Sequence, residues 1–369
     1  MAREETTEFM AMKGAGYYSK ATVGAKHVMD NAAELVLEAV DRMAPADDGS
    51  VFRITDMGAA DGGTSLGMWG QVLGHIRALT PSRPIEIIYT DLPRNDFSQT
   101  FQIVHGHTGE ATYLASVPDV HVLASATSFH EAIVPPGTLD LGFSATASHY
   151  ITAVPCTIED HVHMVGANPQ ERQAFEEKGA ADWETMLVRR AEEMKPDARL
   201  CLFNFGTDEA GRYLGNTGGV NMFDTFAQLW RNMRDDGQIT AEEFTNTNFP
   251  QCYRTQARFV APLNDPDSPV YQAGLRLEHV ESRVVRCPFE QDFTENGGTA
   301  ADFARDYIPT LRSWSEPTFA NGLNPDRPAP EKADIINMFY QRYQVMVAAD
   351  PTGHAMDYVH IYLICLKET

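Results

Sequence analysis

Two aspartates and a glycine cluster carry the first chemical signal. The stretch RITDMGAADGGTSLGMWGQVL, Arg53 to Leu73, reads as an apolar strand, a tight corner and a helix. Gly58, Gly62 and Gly63 let the backbone approach a ligand closely. A phosphate-gripping loop would need Gly-Lys-Ser/Thr, whereas this corner continues GGTSLGMW, and the G-x-G-x-x-G spacing of a dinucleotide site is also missing. Asp56 closes the first strand and Asp91 closes the second, in IYTDLPRNDF. An acid at that second position can accept both hydroxyls of a ribose. A nucleoside without phosphates therefore fits. S-adenosylmethionine (SAM) is one, and its sulfonium and amino groups suit acidic neighbours. The glycines equally make an ordinary strand–helix turn, and Asp91 alone also suits a turn or cap, so the corner by itself leaves both readings open.

The elements that must position these residues follow an alternating pattern. VFRITDMG, IEIIYTDL, VHVLASATSF, LDLGFSATAS and ARLCLFNFG predict five strands. Helical periodicity lies between them, at Leu66–Leu79 and in the run NPQERQAFEEKGAADWETMLVRRAEEMK, and the polar first thirty residues precede a helix over NAAELVLEAVDRM. Buried strands alternating with helices imply a parallel, doubly wound α/β sheet, with ligands beyond the carboxyl ends of its strands. From about residue 214 to 330 short helical pieces mix with turn-rich segments. The expected division is an α/β domain of residues 1–213 and 331–369, with a leading segment 1–30 closing over the site, and a mainly helical cap of residues 214–330. KADIINMFYQRYQVMVAAD then predicts a last helix and YVHIYLICLK a last strand rejoining the sheet.

Composition narrows the class. A formal charge of −22 on 369 residues disfavours a nucleic-acid partner, which needs a basic surface. No run approaches the eighteen apolar residues of a membrane span, and the leading segment lacks the apolar core of a signal peptide. The five cysteines are scattered and form no CxxC pair, so reduced thiols in a cytoplasmic protein are expected. His105, His107, His161 and His163 come in pairs without accompanying carboxylates or cysteines, and no metal is expected.

Five blocks in order resemble one family. They are MKGAGYYSK, DMGAADGGTS, TDLPRNDFSQTF, ATSFHEAIVPPGTLDLGFSATASHYITAVP and FTNTNFPQCY. Together they are similar to the motifs of the SABATH methyltransferases, the salicylate, benzoate, jasmonate and theobromine-type SAM-dependent enzymes best known from plants. The D-L-P-x-N-D-F block is the most specific. The resemblance implies a Rossmann-like class I methyltransferase sheet, a homodimer and a SAM site, with S-adenosylhomocysteine as product. Carried over by position, Ser19 lies near the cofactor, Asp56 and Gly58 line its methionine end, and Asp91 with Leu92 holds the ribose. Ser128 and Phe129 stand beside the adenine, and Ser144 is a further contact. Thr64 and Thr146 occupy positions where the family has asparagine and tyrosine. Several such departures from the plant pattern suggest a microbial source.

The acceptor side departs further. His27 aligns with a family glutamine, and His149-Tyr150 stands where His-Trp or Met-Trp is usual. Both kinds of replacement keep hydrogen-bond donors for a carboxylate. Lys13 adds charge nearby, and Met222, Phe223 and Phe249 are the expected apolar walls, with Trp230, Phe339 and Tyr340 as further candidates that equally suit a core. The reaction implied is methyl-ester formation on a small mono- or dicarboxylic acid, oriented by His27, His149 and Tyr150. N-methylation of a heteroaromatic molecule is the alternative within the family, and a NAD-dependent oxidoreductase is the alternative outside it.

Overall fold

The computed structural model describes residues 23–369. Five parallel strands form the centre of its sheet: β1 (Phe52–Met57), β2 (Ile85–Asp91), β3 (Val120–Ala126), β4 (Leu139–Ala145) and β5 (Met194–Thr207). After the two-residue strand β6 (Arg254–Thr255), which pairs with β5, come β7 (Leu275–Val285) and β8 (Tyr358–Lys367). The order across the sheet is β3-β2-β1-β4-β5-β8-β7, with β8 antiparallel to both neighbours. β4 is buried along its whole length, as a strand covered on both faces must be. The order turns back at β1 and β4, which places a crevice beyond their carboxyl ends.

Helices cover both faces. α1 (Val23–Asn31) and α2 (Ala33–Met43) lead into β1, α3 (Leu66–Leu79) follows the glycine corner, and α4 (Phe97–Val104) follows β2. α5 (Pro169–Glu193) is the longest. Its start is fixed by a capping box, in which the Asn168 side chain accepts from the amides of Gln170 and Glu171 while Glu171 reaches back to the Asn168 amide. α6 (Met222–Asp235), α7 (Ala241–Asn246), α8 (Gln256–Asn264), α9 (Pro269–Gln272), α10 (Pro288–Asn296), α11 (Ala300–Gly322) and α12 (Ala329–Ala349) complete the chain.

The strands read from sequence are all present, but two regions differ. Residues Val23–Asn31 are already helical, ahead of the helix expected over NAAELVLEAVDRM. The span 214–330, expected as a mainly helical cap, contains β6 and β7, so its middle belongs to the sheet. The physical reason is β8. YVHIYLIC is buried along its length and needs a partner on the edge that β5 leaves free. The segment LRLEHVESRVV supplies it as a half-buried edge strand whose charged residues hide its identity. The remaining helices pack an aromatic cluster that is continuous with the sheet core, since Phe203 and Phe205 of β5 belong to the same buried group as Phe223, Phe226 and Phe249.

Glu243 ties the helical segments together. Its buried carboxylate accepts from the amides of Thr240 (2.8 Å) and Asn324 (2.9 Å) and from the Arg327 guanidinium. Burial pushes its pKa up, but Arg327 and the two amides outweigh that and hold it at about 2. A depressed carboxylate contributes stability above its unfolded pKa and loses it as pH falls toward the folded one. Glu243→Gln is therefore expected to cost about 3 kcal/mol at pH 7 and to lower the melting temperature by several degrees. In calorimetry the difference from the wild type should shrink steadily between pH 4.5 and 2.

Candidate active site

Contact between the end of β1 and the turn after β4 defines the crevice. Gly58 has φ +73°, and a Cβ there would stand 2.4 Å from the Ala147 Cβ, so only glycine fits. The Gly58 and Ala59 amides donate to the Thr90 carbonyl at 2.8 and 3.1 Å, pinning the corner to β2. Asp91 completes the lock by accepting from the amides of Ala60 (2.8 Å) and Leu92 (2.7 Å). Ala60 sits in the left-handed region at φ 50°, and its carbonyl is held by Asn95 and Thr100.

Two carboxylates stand near one another at the ends of β1 and β2. Asp56, 3% exposed, accepts from the Ser65 hydroxyl and the Trp69 indole, each at 2.8 Å. Burial lifts its pKa to about 6 against these two hydrogen bonds, and the charge of Asp91 adds to the rise. Burial also raises Asp91, opposed by the Ala60 and Leu92 amides. Such a pair is costly as bare anions, and a cationic ligand offsets the cost. Each Asp91 oxygen uses one lone pair on a backbone amide and keeps acceptor capacity for a hydroxyl. These residues fit a nucleoside sulfonium.

The loop after β3 is held from behind. The Ser128 hydroxyl accepts from the His130 amide, and the Phe129 ring lies 3.9 Å from where a Gly58 Cβ would be. The fully buried Arg190 donates to the carbonyls of Phe129 (2.9 Å) and Glu131 (2.7 Å) and to Glu193, which accepts from the amides of Ile133 and Val134. Sequence reasoning missed this pair, because an Arg and a Glu at the end of a helix look like any solvated turn. Thr64 is buried in the turn that precedes α3. The Ser144 hydroxyl donates to the Met57 carbonyl at 3.0 Å, holding β4 to β1. Ser19 and Lys13 lie outside the described residues.

A cavity opens beyond β4 and β5, lined in part by Thr146, His149, Tyr150 and Phe205. Thr146 has φ 54°, a strained conformation for a β-branched residue and one that clusters at functional sites. Residues 149–151 pair with the FPQCY segment: the Cys252 amide donates to the His149 carbonyl at 2.7 Å, and Ile151 to Pro250 at 2.9 Å. This brings Gln251 and Tyr253 into the wall beside His149. His149 is 3% exposed, and its Nδ1 makes no hydrogen bond among the described residues. Burial, with His360 and Arg254 adding, pushes its pKa well below the usual histidine range, so the ring is neutral.

The three residues expected as acceptor walls belong to the buried core. Phe223 and Phe249 are fully buried and pack on one another at 5.8 Å, and Met222 is buried against Gly215; none lines the cavity. Trp230, Phe339 and Tyr340 likewise belong to the core. The apolar walls are Leu214, Trp314, Met356 and Tyr358, drawn from loops, α11 and the start of β8. No sequence periodicity unites those four. His27 is half-buried on α1 and is not among the lining side chains; Gly24, one turn earlier, lies directly against the Tyr358 ring. Of the tempting histidines, His161 lies 3.2 Å from Asp224 and His163 caps a short turn. Among the described residues, no group of three or more metal-ligating side chains is placed to hold an ion.

The fold is that of a class I SAM-dependent methyltransferase. A solved structure of loganic acid methyltransferase with SAH superposes with a TM-score of 0.74 at 16% identity, covering 97% of this chain and 99% of that one. Residues 6–368 match the family described as SAM dependent carboxyl methyltransferase, and the chain belongs to it. Its cofactor is SAM. Among curated relatives, Methyltransferase FUS9 of Gibberella fujikuroi is 25% identical over 221 residues, covering 60% of this chain and 59% of that one. Gibberellic acid methyltransferase 2 of Arabidopsis thaliana is 23% identical over 242 residues, covering 59% and 60%. The chain thus spans about three fifths of the length of these relatives.

Two measurements follow from the crevice. Gly58→Ala is expected to weaken S-adenosylhomocysteine binding more than about tenfold in calorimetry, since the new methyl meets Ala147 and the positive φ is strained. Near pH 6, Asp56 is half protonated in the free protein, and a cationic ligand lowers its pKa. SAM binding should therefore release protons at pH 6, seen as a buffer-dependent heat that Asp56→Asn removes.

Proposed function

We propose that the protein transfers a methyl group from SAM to the carboxylate of a small organic acid, giving its methyl ester. The observation that carries this reading is His149: a buried, uncharged imidazole with an unused ring nitrogen, in a largely apolar cavity next to the glycine corner. SAM supplies the methyl when bound and leaves as S-adenosylhomocysteine. In this reading Asp56, Gly58, Asp91, Leu92, Ser128 and Phe129 hold the cofactor, with Ser19, Thr64 and Thr146 nearby.

A carboxylate is ionised at neutral pH, so no residue has to remove a proton. His149 and Tyr150 aim one oxygen; His27, on α1 outside the cavity lining, is the third donor that the family resemblance implies. Neutral donors suit this task because the carboxylate's charge disappears in the transition state. A tight guanidinium clamp would hold the ground state more strongly than the transition state. Leu214, Trp314 and Met356 exclude water. The names of the relatives and the solved structure, with gibberellic and loganic acids as their acids, support the carboxylic class of acceptor. Donors in the cavity wall favour an acid over a neutral heteroaromatic ring. A homodimer, a cytoplasmic location and a role in small-molecule metabolism go with this reading. Among the described residues, no helix is long and apolar enough to cross a membrane.

The test is incubation with SAM and a panel of aromatic, aliphatic and dicarboxylic acids, with esters read by mass; no ester from any acid contradicts the proposal. His149→Phe should lower kcat about ten- to a hundredfold while leaving the dissociation constant of S-adenosylhomocysteine within about threefold. Because His149 stays neutral, kcat/KM for a fully ionised acid should be flat from about pH 6.5 to 8. A rise or fall with histidine-like midpoint in that range would contradict the assignment.

A further inference from the structure

The acceptor cavity contains more polar groups than one carboxylate needs. Gln251 is fully buried in its wall, and apart from a loose contact with the His163 ring its amide has no hydrogen-bond partner among the described residues. The Tyr253 hydroxyl, in the same wall and 5% exposed, is also without one there. Leaving a buried amide donor unpaired is costly, so its retention in a ligand cavity points to a ligand that completes it.

His163 fixes which way that amide faces. The Val165 amide donates to His163 Nδ1 at 3.2 Å, so that nitrogen carries no proton. Burial, with His161 adding, depresses the His163 pKa well below the usual range, so the ring is neutral and its single proton sits on Nε2. Phe223, stacked on the ring at 3.9 Å, holds it in place. Gln251 lies beside this imidazole, and an Nε2–H donor can be met only by the oxygen of its amide. The amide oxygen therefore faces His163, without reaching hydrogen-bond geometry, and the amide nitrogen is left to the cavity.

Resting on the carboxyl-methyltransferase reading, we propose that Gln251 is a specificity-determining residue. The acceptor acid carries, away from its reacting carboxylate, an uncharged hydroxyl or keto oxygen that accepts from the Gln251 amide nitrogen, with the Tyr253 hydroxyl beside it. The oxygen is uncharged because the groups facing it are neutral. His149 and His163 both titrate far below neutrality, and a second carboxylate would be desolvated with no cation among the described residues of the cavity wall. A plain hydrocarbon tail leaves the amide unpaired and binds more weakly.

The experiment compares matched acids that differ by one oxygen: cinnamate against its ring-hydroxylated forms, and decanoate against its hydroxy- and oxo-decanoates. Each is tested with SAM on the wild-type protein and on Gln251→Leu. For the wild type, at least one oxygenated acid is expected to exceed its parent at least about tenfold in kcat/KM, chiefly through KM. In Gln251→Leu that ratio should fall to near one, with S-adenosylhomocysteine affinity retained. Parent acids esterified as well as every oxygenated partner by the wild type, or a preference that survives Gln251→Leu, overturns the inference while leaving carboxyl methylation standing. Esters from none of the acids contradict the underlying reading and the inference with it.

Discussion

Burial without charge is the condition on which the acceptor side rests. His149 lies among Tyr150, Phe205 and Tyr253, whose ring centroids stand at 4.3, 4.9 and 5.8 Å from its own. The ring is almost wholly shielded from water, and protonation would place a cation there without a counter-ion. It therefore stays a neutral donor or acceptor at any physiological pH. His360, fully buried beside Phe205 with its pKa pushed down to about 3, extends the same condition deeper into the sheet. The pairing of residues 149–151 with FPQCY keeps this neutral cluster in register with the sheet.

The cofactor side is organised in the opposite sense. There the chain buries negative charge, at Asp56 and Asp91, and uses the helix start at Ser65 and Trp69 and the corner amides to hold it. The protein as a whole carries −22, which repels an anionic acceptor at long range. Recognition of an acid must then come from short-range donors in a confined cavity. In the proposed function, the cofactor's cation attracts the carboxylate from one side while neutral donors orient it from the other.

Much of this was legible in the chain. The glycine corner, the two strand-end aspartates and the strands β1 to β5 and β8 carried local signals: β-branched runs, turn glycines and an acid closing each of two strands. Gly58 was read as room for a ligand; the structure adds a demand the sequence did not announce, the Ala147 methyl that leaves no space for a Cβ. β7 was not legible, because its residues are half-buried and charged, and it is a strand only because β8 needs a neighbour. The cavity walls were illegible for a similar reason. Phe223 and Phe249 have the size and spacing of binding residues but fill the core, whereas Leu214, Trp314, Met356 and Tyr358 converge only through tertiary structure. Gln251 stood in plain view inside FTNTNFPQCY, yet the state of its amide is a property of the folded protein alone.

The most direct test of a neutral donor is the protonation state of His149 itself. Nitrogen-15 NMR of histidine-labelled protein, assigned by comparison with His149→Phe and recorded with S-adenosylhomocysteine and a methylated acid's parent carboxylate bound, reads both ring nitrogens. The account predicts one protonated and one unprotonated nitrogen from about pH 8 down to about pH 5.5. An imidazolium signal at pH 7 would show that the carboxylate is held by a charge, and would contradict it.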